Sequence, residues 1–105
     1  MSRGHDRERA VKRLLEAEDY WVCRAAGSLG DADLVALKPG RRLLVEVKST
    51  AAGPFHSFGP KDRADLLFAA ALADCTAVLC WWPPRGKPVW LESGQWPDAR
   101  VVAAA

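Results

Sequence analysis

Two apolar segments separated by a Pro-Gly pair constrain the fold of this chain more than any other feature. The first is residues 33–37, Asp-Leu-Val-Ala-Leu, and the second is residues 43–48, Leu-Leu-Val-Glu-Val-Lys. Their composition is typical of β-strands, and Pro39-Gly40 between them predicts a turn. The sequence therefore predicts a β-hairpin in which the start of the first strand lies beside the end of the second.

Charged side chains occur at that end of the hairpin. Because side chains alternate between the two faces of a strand, Glu46 and Lys48 are expected on one face, and Val45 and Val47 on the other. The hairpin can place Asp33 beside Glu46. Two carboxylates and an ammonium would then meet at the edge of an otherwise apolar sheet, an arrangement that suits a divalent metal and a phosphodiester.

The chemistry of this group favours magnesium, which prefers hard oxygen ligands. Asp33 and Glu46 would supply carboxylates, and the backbone carbonyl of Val47 is a third candidate ligand. A metal held there would polarise a phosphate and lower the pKa of a bound water. Lys48 could orient that water or stabilise negative charge on phosphorus. Glu8, on a predicted first helix, could reach the same metal directly or through water.

A solvent-facing ion pair is the alternative interpretation, because a strand-borne Glu-x-Lys pattern is common and such pairs contribute little. Three features favour a metal-dependent nuclease instead. They are the strand that begins at Asp33, the small-residue loop Gly27-Ser28 before it, and an acidic residue on a basic helix.

Length and composition set broader limits. The chain has 105 residues, half of them apolar, which predicts a single ordered domain over residues 1–105. The net charge is only +2, but basic residues crowd the first thirteen positions, either as a solvated helix face or as phosphate contacts. Three cysteines without a CxxC pair argue against zinc and for buried thiols in a reducing compartment. No signal peptide or membrane span is recognised, so a cytoplasmic protein without membrane contact is expected.

The order of predicted elements is α-β-β-β-α-β-β, which indicates an α/β domain with a mixed central sheet flanked by helices. The predicted ranges are 6–18, 20–24, 33–37, 43–48, 60–73, 76–82 and 89–92, with a tail of little regular structure from about residue 95.

Apolar periodicity predicts which side chains are buried. The expected core residues of the first helix are Ala10, Val11, Leu14, Leu15 and Ala17. For the second helix, the expected apolar face comprises Ala64, Leu67, Phe68, Ala71 and Leu72, which would serve either the core or a partner subunit. The tryptophans expected in the core are Trp21, Trp81 and Trp90.

Four short segments together resemble a known family. They are Glu8-Arg9, residues 24–28 (Arg-Ala-Ala-Gly-Ser), residues 33–36 and residues 45–50. In these residues and their spacing the chain is similar to the archaeal-type Holliday junction resolvases, which belong to the PD-(D/E)XK, or restriction-endonuclease-like, nucleases. The similarity extends from about residue 7 to residue 50.

That resemblance implies a homodimeric, magnesium-dependent endonuclease, with Mn²⁺ as a substitute, that cuts four-way DNA junctions in recombination, repair or virus replication. Asp33 and Glu46 would be metal ligands, Lys48 the catalytic lysine, Glu8 the helix-borne acid that completes the site, and Ser28 a loop serine near the scissile phosphate. The basic residues expected to contact DNA are Arg7, Arg9, Arg13 and Arg24. The short chain suits a virus-encoded or bacterial relative.

Two alternatives stay open at this point. One is another nuclease of the same superfamily that acts on branched or nicked DNA. The other is a DNA-binding module that keeps this fold without cutting. A homodimer is expected for a resolvase because two symmetric cuts need two sites related by a two-fold axis.

Overall fold

The predicted hairpin forms at the middle of the sheet. Strand β2 (Leu34–Lys38) pairs antiparallel with β3 (Arg41–Lys48), and Leu34 lies opposite Val45. Gly40 in the turn has φ +77°, a left-handed conformation that glycine adopts without the steric cost of a β-carbon. The turn therefore fixes a register in which the start of β2 lies beside the last residues of β3.

The computed structural model describes residues 3–25 and 32–98, with side chains in the first segment from residue 6 onward. Their order confirms the predicted α-β-β-β-α-β-β succession, and a short 3-10 helix follows the last strand. The first helix starts three residues earlier than predicted. The remaining elements are α1 (Arg3–Ala17), β1 (Trp21–Arg24), α2 (Pro60–Ala73), β4 (Thr76–Trp81), β5 (Val89–Glu92) and the 3-10 helix (Ser93–Gln95).

The five strands lie in the order β1-β2-β3-β4-β5. Strands β3 and β4 are parallel and are connected through α2, while the other neighbours pair antiparallel. The predicted mixed sheet is therefore confirmed. Pro60 occupies the first turn of α2, where its missing N–H has no helical partner to lose, and Asp74 ends the helix in a left-handed conformation.

The two helices cover opposite faces of the sheet. Val11 and Leu15 of α1 pack in one buried cluster with Val45 of β3. Leu66 of α2 packs in a second cluster with Leu44, the residue next to Val45. Since neighbouring strand residues face opposite sides, the sheet has a buried layer on each face.

The predicted apolar stripe of α1 is only partly correct. Val11 and Leu15 are buried, but Leu14 and Ala17 are exposed. They lie beyond the part of the sheet that α1 covers, beside a hollow of about 430 Å³ that is also lined by Trp90. An amphipathic pattern thus marks more of a helix as buried than its neighbours can cover.

The predicted apolar face of α2 is not the face that is buried. Leu66 and Ala70 face the sheet, together with Arg63, whereas Phe68 is 68% exposed and Leu72 is 74% exposed. From Ala64 onward, α2 is apolar almost all round. Periodicity therefore could not identify the buried side, and packing against β3 and β4 decided it.

The tryptophan prediction is also wrong in part. Trp21 is 62% exposed, Trp90 is exposed and Trp81 is half-buried. The buried tryptophan is Trp96, from the predicted irregular tail, which packs edge-on against Phe58 with ring centroids 5.2 Å apart. Trp96 is thus part of the buried cluster on the face of the sheet that α2 covers. Within the described ranges, neither helix is both long enough and apolar enough to cross a bilayer.

Candidate active site

Four chain segments reach the same end of the sheet. Strands β1 and β3 end there, at Arg24 and Lys48, and β2 begins there after Asp33. The N–H of Ala25 donates to the Asp33 carbonyl at 2.9 Å, which continues the β1–β2 pairing past the strand ends. Because β4 is parallel to β3, it also ends here, at Trp81. The topology thus collects residues from most of the chain at one edge.

Asp33 lies just beyond the last paired residues of β2 and β3, which are Leu34 and Val45. Its N–H donates to the Val45 carbonyl at 2.9 Å, and its Oδ2 accepts from the N–H of Val47 at 2.8 Å. These two bonds, to the residues on either side of Glu46, hold the Asp33 carboxyl group beside the Glu46 side chain. The structure therefore brings together the two carboxylates that the hairpin suggested.

Burial raises the pKa of Glu46 to about 9, and the hydrogen bond and charge of Asp33 act in the same direction. The charge of Lys48 and the N–H of Val47 act against this rise. At neutral pH, the metal-free carboxyl pair therefore holds a proton on Glu46. A divalent cation would displace that proton and compensate both carboxylates, so this donor set fits Mg²⁺.

Two consecutive tryptophans hold the segment that carries Lys48. Trp81 lies opposite Lys48 in the parallel pairing, and its Nε1 donates to the Thr50 carbonyl at 2.8 Å. The N–H of Trp82 donates to the Lys48 carbonyl at 2.8 Å. The backbone on both sides of Ser49 is therefore tied to β4, which positions the Lys48 side chain beside Glu46.

Glu8 does not join the carboxylate pair. Its Oε1 accepts from Nε of Arg24 at 3.0 Å, and Glu8 is only 16% exposed. Residues 3–25 and 32–98 contain no group of three or more His, Cys, Asp or Glu side chains that could hold a metal. The convergence of Glu8 on Asp33 and Glu46 therefore stays a prediction. Glu46 alternates with Val45 and Val47, which pack on the face covered by α1, so the Glu46 side chain leaves the strand on the opposite face.

The predicted DNA-contacting arginines occupy different environments. Arg7 is half-buried, with its guanidinium 4.4 Å from the centroid of the Trp82 ring. Arg24 is half-buried in its pair with Glu8, while Arg9 and Arg13 lie on the exposed side of α1. Ser28, predicted near the scissile phosphate, lies outside the described residues.

Two residues beside Lys48 are not among the predicted site residues: Trp82, directly after β4, and Arg85, in the β4–β5 turn. A groove of about 800 Å³ at the end of β3 is lined by Lys48, Arg7 and Arg85. Arg85 could have been identified from its position in the Pro-Pro-Arg-Gly turn after β4. Because β4 is parallel to β3, the two strands end at the same edge, and the turn after β4 lies near Lys48.

Comparisons with known proteins agree with this architecture. The family model "Archaeal holliday junction resolvase (hjc)" matches residues 1–80. The crossover junction endodeoxyribonuclease Hjc of Methanocaldococcus jannaschii is 43% identical over 54 residues, which cover 51% of this chain and 40% of that relative. The chain therefore spans less than half the length of this curated relative.

A solved structure resembles the whole sheet. Hjc of Archaeoglobus fulgidus, described as a Holliday junction resolvase from an archaeal hyperthermophile, matches with a TM-score of 0.78 and 23% identity. The match covers 88% of this chain and 74% of that one. The likeness confirms the predicted restriction-endonuclease-like fold.

Proposed function

The chain belongs to the archaeal Holliday junction resolvase (Hjc) family, and we propose that it is a Mg²⁺-dependent endonuclease that cuts four-way DNA junctions by phosphodiester hydrolysis. One observation carries the proposal: the Asp33 and Glu46 carboxyl groups lie together where β2 begins, with the charge of Lys48 beside them. Apolar residues in place of a buried ionisable cluster usually leave stability unchanged or raise it, so a cluster of this kind points to function.

The side chains divide the chemistry among them. Asp33 and Glu46, with the Val47 carbonyl, would hold Mg²⁺, or Mn²⁺ in its place. When bound, the ion would polarise the phosphate and lower the pKa of a coordinated water. The Lys48 ammonium stabilises negative charge that develops on the phosphoryl oxygens or orients the water. Glu8 as a further ligand stays a prediction, because its carboxylate is paired with Arg24 in this structure.

DNA binding would rest mainly on phosphate contacts. Arg24 lies at the end of β1 and Arg7 lines the groove at the end of β3, while Arg9 and Arg13 lie on the exposed side of α1. Affinity that depends on such contacts falls steeply with salt, because binding releases counterions. Junction shape rather than base sequence would then be the main feature recognised. An intracellular location fits this substrate and the three free cysteines.

A homodimer would supply the second active site. On the face covered by α2, Trp21 lies opposite Leu37, which lines a hollow of about 530 Å³ together with Ala73. Phe68 and Leu72 on α2 are also large, exposed and apolar. Contiguous exposed apolar surface on a soluble protein often marks an interface. We propose that a second copy covers them and places two sites in two-fold symmetry.

Cleavage of a labelled four-way junction in the presence of Mg²⁺ tests the function. Asp33→Asn should reduce the cleavage rate at least about a hundredfold and leave junction binding intact. The amide oxygen can still accept from the Val47 N–H, so the fold should be preserved. Asp74→Asn is the matched control, because Asp74 is exposed at the opposite end of β3 and asparagine tolerates its left-handed backbone.

The same assay separates the alternatives. Equal cleavage of flaps, nicked duplexes and junctions would indicate another branched-DNA nuclease of this superfamily. Junction binding without cleavage in Mg²⁺ or Mn²⁺ would indicate a non-catalytic module. Cleavage by the Asp33→Asn variant at the wild-type rate would remove the proposed site.

A further inference from the structure

The groove beside Lys48 is a candidate binding site separate from the carboxylate pair. Its volume is about 800 Å³, and three parts of the chain form its walls. Arg7 comes from α1, Lys48 to Ala51 follow β3, and Arg85 comes from the β4–β5 turn. Three cationic side chains face a single carboxylate, that of Asp6. The groove is therefore positively charged where it adjoins the proposed catalytic lysine.

Hydroxyl groups add to this polar lining. Ser49, Thr50 and Ser57 all contribute to the groove wall. The Thr50 hydroxyl accepts from the N–H of Ala52 at 3.1 Å, which leaves its own proton available for donation. Cationic groups interleaved with hydroxyl donors match a chain of phosphate oxygens better than they match an apolar ligand or a cation.

Trp82 connects the three walls of the groove. Its N–H donates to the Lys48 carbonyl at 2.8 Å, and its indole Nε1 donates to the Gly86 carbonyl at 2.9 Å. The face of its ring lies 4.4 Å from the guanidinium carbon of Arg7. The backbone bond continues the β3–β4 pairing, whereas the indole bond and the stacking belong to the tryptophan side chain. The Trp82 side chain also packs against the buried cluster on the face covered by α1, and it links the β4–β5 turn to α1.

The β4–β5 turn is held in an unusual conformation. Arg85 has φ +59°, a left-handed conformation that is uncommon for a residue other than glycine. The next residue must be glycine, because a β-carbon on Gly86 would lie 2.7 Å from Cγ of Pro83. The N–H of Gly86 also donates to the Pro83 carbonyl at 3.1 Å. Strain kept at an exposed turn by such restraints is a feature of functional segments.

We propose that this groove binds the phosphate backbone of the DNA strand next to the cleaved phosphodiester, with Arg85 as a phosphate contact and Trp82 as the positioning residue for Arg7 and for the turn. The proposal rests on the proposed nuclease function. Stacking uses the face of the Arg7 guanidinium and leaves the N–H groups at its edge free to donate to phosphate. Trp82 therefore orients the donors of Arg7 without consuming them.

Binding measured without cleavage tests the contact from Arg85. In the Asp33→Asn background without Mg²⁺, Arg85→Gln should weaken binding to a four-way junction and to a linear duplex about tenfold each. The slope of log affinity against log salt should fall by about 0.9, the value for one lost phosphate contact. Arg41→Gln is the matched control, because Arg41 carries the same charge at the opposite end of β3. If the two variants bind equally well, the Arg85 contact is refuted.

A double-mutant cycle tests the role of Trp82. Trp82→Leu removes the ring and should lose about as much affinity as Arg7→Gln, and the double variant should lose little more. Trp82→Phe keeps a ring face and should retain most of the Arg7 contribution. Additive losses in the cycle would show that Trp82 acts only through stability and would overturn the positioning role. Should Trp82→Leu fail to fold, Trp82→Met, which fills more of the space and has no ring face, gives the same cycle with Arg7→Gln.

These tests and the function test can fail separately. A wild-type protein that binds DNA but cleaves no junction would refute the proposed nuclease, while the Arg85 comparison would still decide the groove. Normal junction cleavage combined with unchanged binding by Arg85→Gln would refute the groove and leave the nuclease.

Discussion

Replacing Arg63 with methionine should destabilise the protein, because this side chain joins three separate segments. Its Nη1 donates to the Phe58 carbonyl at 2.6 Å, and its Nε and Nη2 donate to the Asp98 carboxylate at 2.5 and 3.3 Å. Its guanidinium carbon lies 5.4 Å from the centroid of the Phe55 ring. Arg63 is only 6% exposed, and a buried arginine needs partners of this kind.

The expected magnitude follows from the buried partners. Without the donor, the carbonyl of the fully buried Phe58 is left unsatisfied, which costs about 1–3 kcal/mol. Loss of the contact with Phe55 removes about 0.5–1 kcal/mol. The hydrogen bond from Arg63 lowers the pKa of Asp98. Because that carboxylate is solvent-accessible, its pairing with Arg63 contributes little to stability. We expect the free energy of unfolding to fall by about 2–3 kcal/mol, or Tm by roughly 10–15 °C.

Urea unfolding followed by tryptophan fluorescence measures this change. Trp96 reports on the affected region because its ring packs on Phe58. Arg42→Met is the control: Arg42 is exposed and should shift the free energy of unfolding by no more than about 0.5 kcal/mol. A loss below about 1 kcal/mol for Arg63→Met, or one equal to the control, would refute the reasoning.

Two further predictions concern the site and the assembly. Because the pKa of Glu46 is raised from 4.5 to about 9, folded metal-free protein holds a proton that the unfolded chain releases. The free energy of unfolding in EDTA should therefore fall as pH rises across this interval, by at most about 1.4 kcal/mol per unit, and Glu46→Gln should flatten the dependence. Mg²⁺ should restore stability most at high pH. The reasoning would be contradicted if, in EDTA, the free energy of unfolding of the wild-type protein rose with pH more steeply than that of Glu46→Gln. The double variant Phe68→Glu, Leu72→Glu should sediment as a monomer. Leu14→Glu is the control and should leave the dimer intact, because Leu14 is exposed on the other helix. A double variant that stays a dimer would place the interface elsewhere.

Local sequence information was sufficient for the centre of the fold. The β2–β3 hairpin depends on alternation and on one turn, both of which are properties of neighbouring residues. Once the turn sets the register, Leu34 lies opposite Val45, so Asp33 and Glu46 both adjoin that pair, and Lys48 follows two residues after Glu46 at the same edge. The candidate site could be predicted from the sequence because the hairpin alone brings these residues together.

Tertiary packing decided the rest. Because α2 is apolar almost all round, its sequence would allow either side to be buried. Only its packing against β3 and β4 buries Leu66 and leaves Phe68 exposed. The pairing of Glu8 with Arg24 and the stacking of Arg7 on Trp82 join residues far apart in the chain. Such contacts depend on how whole elements are oriented, and that orientation is a balance of many burial energies that no local pattern contains.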